Sequence, residues 1–164
     1  MPTSDPMTIL LRHDHWATRN IIDACTPLPP ETIHQRFEMG PGSLHDTLVH
    51  IIGAIRAWTD VLHGRELRPR PEQGPKLTPS QILAVLDESA PELAAIAAAH
   101  PLDEIVTRTR DGKTYSFTRG AVVTHITTHG MHHRAQCLNM LRQLGVNPLP
   151  KSSVMEWSLE GEPA

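Results

Sequence analysis

Four stretches of this chain carry apolar residues at three- and four-residue spacing, and proline- or glycine-rich breaks separate them. That period belongs to an α-helix with one buried face and fits no strand. The first stretch covers residues 7–25, with Ile9, Leu10, His13, Trp16, Ala17, Ile21 and Ala24 on one side, and stops at Pro27, Pro29 and Pro30. The second starts at Ser43, an N-cap followed three residues later by Asp46, and runs through Leu48, Ile51, Ile52, Ile55, Trp58 and Leu62 to Gly64. The third begins at Thr78 or Ser80 and contains Leu83, Leu86, Leu93 and Ile96, with Pro91 predicting a kink or break near residue 90. The fourth extends from Thr118 or Arg119 to Leu144, with Gly145 as its stop and Pro148 beyond. Aromatic residues make up only 4% of the chain. The core must therefore be aliphatic, which favours packed helices over a β-sandwich.

The connections complete the prediction. Residues 64–78 are proline-rich and charged, and at about 3.3 Å per extended residue they can cross the length of a helix. Residues 31–42 read as irregular. Between Ile105 and Phe117 the pattern alternates around Asp111-Gly112, the strongest short hairpin signal. The expected fold is all-α: one domain over residues 1–164, a four-helix bundle with a long crossover between helices 2 and 3 and a small β-hairpin before helix 4. The tail after Pro150 is weakly patterned, although Val154, Trp157 and Leu159 can dock on the helices.

Charge and cysteine usage narrow the class. A formal net charge of -3 without a basic block argues against nucleic-acid binding. No segment has the roughly 20 apolar residues of a membrane span, and the N-terminus lacks signal-peptide features. Cys25 and Cys137 lie in helical patterns and read as buried thiols. A cytoplasmic protein is expected.

Histidine is the unusual residue, at eleven in the chain. The run His125-Ile-Thr-Thr-His129-Gly-Met-His132-His133 puts histidines four apart on one helical face, where two imidazoles can close on one metal ion. Residues 125 and 133 are about 12 Å apart along the axis, too far to share an ion, so the pair is His125/His129 or His129/His133. Cys137, a turn further on, is a contending ligand. His50 lies among Leu48, Ile51 and Ile52, and a buried imidazole needs a partner, so it fits as the completing ligand from the second helix. Capping, solvent or surface roles are expected for His13, His15, His34, His45, His63 and His100. Arg134 reads as one half of a structural ion pair.

Three elements together resemble the DinB-like (damage-inducible) family of metal-binding bundles: Ser43-Leu-His-Asp-Thr-Leu-Val-His50-Ile with Trp58 following, His129-Gly-Met-His132-His133-Arg134-Ala-Gln136, and the early His15-Trp16-Ala17-Thr18-Arg19. The resemblance covers essentially the whole chain, with His15 standing where the family usually carries another aromatic. It implies metal ligation by His50, His129 and His133, a parallel pairing of helices two and three, and packing or supporting roles for His125, His132 and Cys137. It also implies a homodimer. Family members include S-transferases and isomerases that use low-molecular-weight thiols such as mycothiol or bacillithiol.

Three neutral imidazoles leave at least one coordination position open, as in catalytic sites and unlike four-ligand structural sites. Zinc is the first expectation and nickel the second. The activity the resemblance implies is thiol-dependent S-transfer on a small-molecule substrate. The alternatives are a metal-dependent hydrolase and a non-catalytic metal-binding stress-response dimer. A carboxylate from the tail around Glu156–Glu160 would close the site.

Overall fold

The computed structural model describes residues 3–163. The chain is mostly helical, with one two-stranded antiparallel hairpin. Helix α1 spans Pro6–Cys25; Asp5 caps it by accepting the Thr8 N–H, and Pro6 sits in the first turn where its missing donor costs nothing. A single turn, α2 (Pro30–Ile33), follows within the stretch expected to be irregular and buries Ile33. Helix α3 (Leu44–His63) begins at the Ser43 cap and ends on Gly64, whose φ of +67° is open to glycine at little cost.

Residues 64–78 then run along the molecule with only one 3₁₀ turn, Pro71–Gln73, which lies against α3. Their start is anchored electrostatically. Arg65 and Arg68 both pair with the buried Asp60 and with Glu92, and the Arg68 N–H donates to Asp60. Helix α4 (Pro79–Ala98) opens with a reciprocal capping box between Thr78 and Gln81. It runs through Pro91 without the break that proline suggested.

Strands β1 (Ile105–Arg110) and β2 (Lys113–Thr118) pair in the register Arg110↔Lys113 to Ile105↔Thr118. Asp111 and Gly112 both have positive φ, +51° and +72°, the geometry of the tight turn that Asp-Gly favours. Helix α5 (Arg119–Gln143) starts at the Thr118 cap, and α6 (Val154–Leu159) at a second capping box, Ser153/Glu156.

Helix α3 packs against α4 and α5, and α1 packs against the same two helices; β1 lies on α3, β2 on α5, and α6 on α1. The main core is aliphatic, with Ile21, Ile52, Leu86 and Ile126 fully enclosed. Trp157 of α6 forms a smaller cluster with Trp16 and Ala17. Leu159, expected to dock beside it, is exposed. No helix among the described residues is long and apolar enough to cross a membrane.

Candidate metal centre

Leu48, Ile51 and Ile52 bury one face of α3 and fix its rotation, which leaves His50 half-buried at the edge of that face. Opposite it, α5 presents His129 and His133 from successive turns, with ring centroids 4.4 Å apart. The His50 ring lies 4.9 Å from that of His129 and 4.7 Å from that of His133. The Nε2 atoms of His50 and His129 stand 3.1 Å apart, and one nitrogen from each of the three residues falls within 4.8 Å of the other two. Two nitrogens each about 2.1 Å from one tetrahedral ion are about 3.4 Å apart, so the donor set fits a divalent metal with little movement.

Neighbouring side chains hold the rings in the orientation a metal needs. The Nδ1–H of His133 donates to Gln136 Oε1 at 2.8 Å, which turns Nε2 toward the cluster. The Glu72 carboxylate stands 3.4 Å from His50 Nδ1. Burial depresses the pKa of His129 to about 4, and the neighbouring His133 and His50 add to the effect. Burial likewise lowers the pKa of His133, with Gln136 opposing the shift. Both imidazoles are therefore neutral at pH 7, with lone pairs free for a cation.

Of the two helical pairs the spacing allowed, it is His129/His133 that meets His50. His125 packs edge-on against Trp58, with centroids 5.2 Å apart. His132 is exposed and takes a hydrogen bond from Gln136 Nε2. Cys137 is fully buried, and burial pushes its thiol pKa up, away from thiolate chemistry. The tail carboxylates are engaged elsewhere: Glu156 caps α6 and Glu160 pairs with Lys151. Arg134 forms the expected ion pair, reaching the buried Asp14 on α1.

Other histidines depart from expectation. His45 is buried, with Asp46 Oδ1 3.0 Å from Nδ1 and the Leu77 carbonyl 3.1 Å from Nε2. His13 is also buried and donates to the Ser152 carbonyl, while His15 ties α1 to α4 through Asp87.

Glu72 was not visible as a site residue, because it comes from the crossover 22 positions after His50. A weak signal existed in Gly53. A Cβ there would stand 2.6 Å from Glu72 Oε2, so glycine is what lets the carboxylate lie on α3 beside His50. A cavity of about 430 Å³ adjoins this point, with His50, Glu72, His45, Asp46 and Lys76 on its walls.

Helices that converge three imidazoles on one point define a class: mostly helical proteins with a histidine cluster compatible with a divalent metal. Within that class the chain belongs to the DinB family, whose model matches residues 1–160. A search of curated proteins finds no match.

Proposed function

We propose that His50, His129 and His133 hold one divalent metal ion, zinc by first preference and nickel by second, and that the protein is a metal-dependent enzyme acting on a small molecule. The observation that carries this reading is the convergence of the three side chains while Gln136 and Glu72 stand at the outer nitrogens of His133 and His50. A bound ion with three imidazole ligands would supply Lewis acidity to a water or a thiol at its open position. The chain's own contribution is to converge the three rings, to hold His129 and His133 neutral, and to keep tail carboxylates away. The reaction class we favour is S-transfer with a low-molecular-weight thiol as co-substrate, with metal-dependent hydrolysis as the alternative. The cavity beside His50 has room for a small molecule.

The same reading takes the chain as one domain in which the four long helices form a bundle, with α3 and α4 running parallel across the crossover. Two contacts support that direction: His45 near the start of α3 meets Leu77 just before α4, and Arg65 just after α3 meets Glu92 late in α4. It also takes the protein as a cytoplasmic homodimer.

Metal content of protein purified without a histidine tag is the first test. His50→Ala, His129→Ala and His133→Ala should each lose the metal, and His125→Ala should retain it. Equal loss in all four variants would sink the assignment. With cobalt loaded, millimolar thiols should perturb the visible spectrum; an unchanged spectrum removes the basis for catalysis at an open position.

A further inference from the structure

The hairpin presents a second cluster that the histidine site does not use. Cross-strand partners point to the same side of a ribbon, so Val106, Arg108 and Arg110 share a face with Phe117, Tyr115 and Lys113. Val106 is buried, and Phe117 packs edge-on against Trp58 of α3 at 5.6 Å, so this face is turned toward the helices. It carries the Arg108 guanidinium over the Trp58 ring, 4.8 Å from the centroid. The result is a cavity of about 330 Å³ walled by Trp58, Phe117 and Tyr115, with Arg108 and Arg110 supplying positive charge.

The Arg108 charge is uncompensated. Arg19, Arg36, Arg65, Arg68 and Arg134 each pair with a carboxylate, and Arg119 caps the carbonyls of Leu62 and Ile96. Arg108 has neither kind of partner among the described residues, and its Nε is out of solvent with no acceptor. Burial lowers the Arg108 pKa, and the like charges of Arg70 and then Arg110 lower it further. The only carboxylate on the wall, Asp111, is at the exposed hairpin turn and stands 3.4 Å from Arg110 Nε. Like charges beside a buried, unmet donor are what an oxyanion relieves, and a guanidinium fork matches carboxylate or phosphate geometry.

We propose that this pocket binds the oxyanion end, carboxylate or phosphate, of a small molecule whose flat or apolar body lies against Trp58 and Tyr115. The pocket is one ring removed from the histidine cluster: His125 stands between, 5.2 Å from the Trp58 ring and 5.5 Å from that of His129. Resting on the metal reading above, the bound molecule would then extend from Arg108 toward the three histidines. An anionic substrate or thiol co-substrate is the class this selects.

Phenyl phosphate, benzoate and inorganic phosphate are suitable probes, titrated in a chloride buffer free of other oxyanions. Trp16 and Trp157 are buried, so Trp58 is the tryptophan whose fluorescence a ligand can reach. Phenyl phosphate and benzoate should give saturable quenching, with inorganic phosphate binding more weakly for lack of a stacking surface. Arg108→Gln should weaken phenyl phosphate binding about tenfold or more. Arg70→Gln and Arg110→Gln, at exposed positions, should weaken it by smaller factors even if Arg108→Gln folds poorly. Metal content should be unchanged in all three. The His129→Ala protein should still bind phenyl phosphate, which separates failure of this pocket from failure of the metal assignment. A response that does not saturate at tens of millimolar, or equal affinity in wild type and all three arginine variants, overturns the proposal.

Discussion

Glu72 and Arg134 are single side chains whose roles come from what they meet across the molecule. Glu72 reaches His50 from a connection with almost no regular structure, and Gly53 makes room for it. Carboxylates behind a ligating histidine commonly account for 10–100-fold in metal affinity. Glu72→Ala should therefore lower metal affinity by about that factor while the melting temperature of the metal-free protein stays put. A competition titration with a chromophoric chelator reads the difference, and unchanged affinity would show that His50 is oriented without it. Arg134 and Asp14 are only 3% and 4% exposed, and Gly130 leaves the space in which they meet. Arg134→Met strands a buried carboxylate and should cost about 3–5 kcal/mol in urea unfolding. Replacing both partners, as Asp14→Leu with Arg134→Met, should recover most of that loss. A double variant no more stable than the single one would mean that the pair does more than neutralise itself.

Among the elements, α5 does two jobs on adjoining faces. His129 and His133 look toward α3, while Gly130, Arg134 and Cys137 are buried with the contact to α1 including Arg134–Asp14. This width explains why buried positions such as Val123, Thr127 and Leu141 extend past a single stripe. It also makes the metal-free helix sensitive to acid. An unfolded histidine takes up its proton near 6.5, whereas in the folded chain burial, then the neighbouring imidazoles, hold His129 at about 4. Between those values the unfolded state binds more protons, so stability falls as pH drops from 6.5 toward 4 and is level above that window. Urea midpoints of metal-free wild type across this range should decline with acid, and those of His129→Ala should decline less. Bound metal should be released as pH falls below about 6, because protons compete for the same nitrogens.

For the whole molecule, the assembly state is the open expectation. The second apolar face of α5 does not argue for a partner, since α1 covers it within the chain. Leu10 on α1, Met131 on α5, and Met155 and Leu159 on α6 are the large apolar side chains these helices leave exposed. A twofold interface is the commonest way to cover such residues. Sedimentation equilibrium at micromolar concentration should give twice the 18.2 kDa chain mass, and Met131→Glu should shift it toward one. A single-chain mass for wild type would overturn the homodimer.

Features that depend on residues within a turn of one another are legible in the sequence. Ser43, Thr78 and Thr118 set helix starts, Gly64 ends α3, and Asp111-Gly112 turns the hairpin, because caps and tight turns are closed by bonds spanning three or four residues. The repeat of histidines every four residues on α5 is legible for the same reason. Spacing alone did not say which of those histidines meets His50; only the family resemblance pointed to His129 and His133. His125/His129 and His129/His133 have identical spacing, and they differ only in which turn of α5 faces His50 and which faces Trp58. That alignment depends on α5 packing simultaneously against α1 and α3, with Arg134 drawn to Asp14 from 120 residues away. Glu72 on His50 and Arg108 over Trp58 belong to the same category. Each joins a connection or hairpin to a helix far off in the chain, so only the packed tertiary structure brought them together.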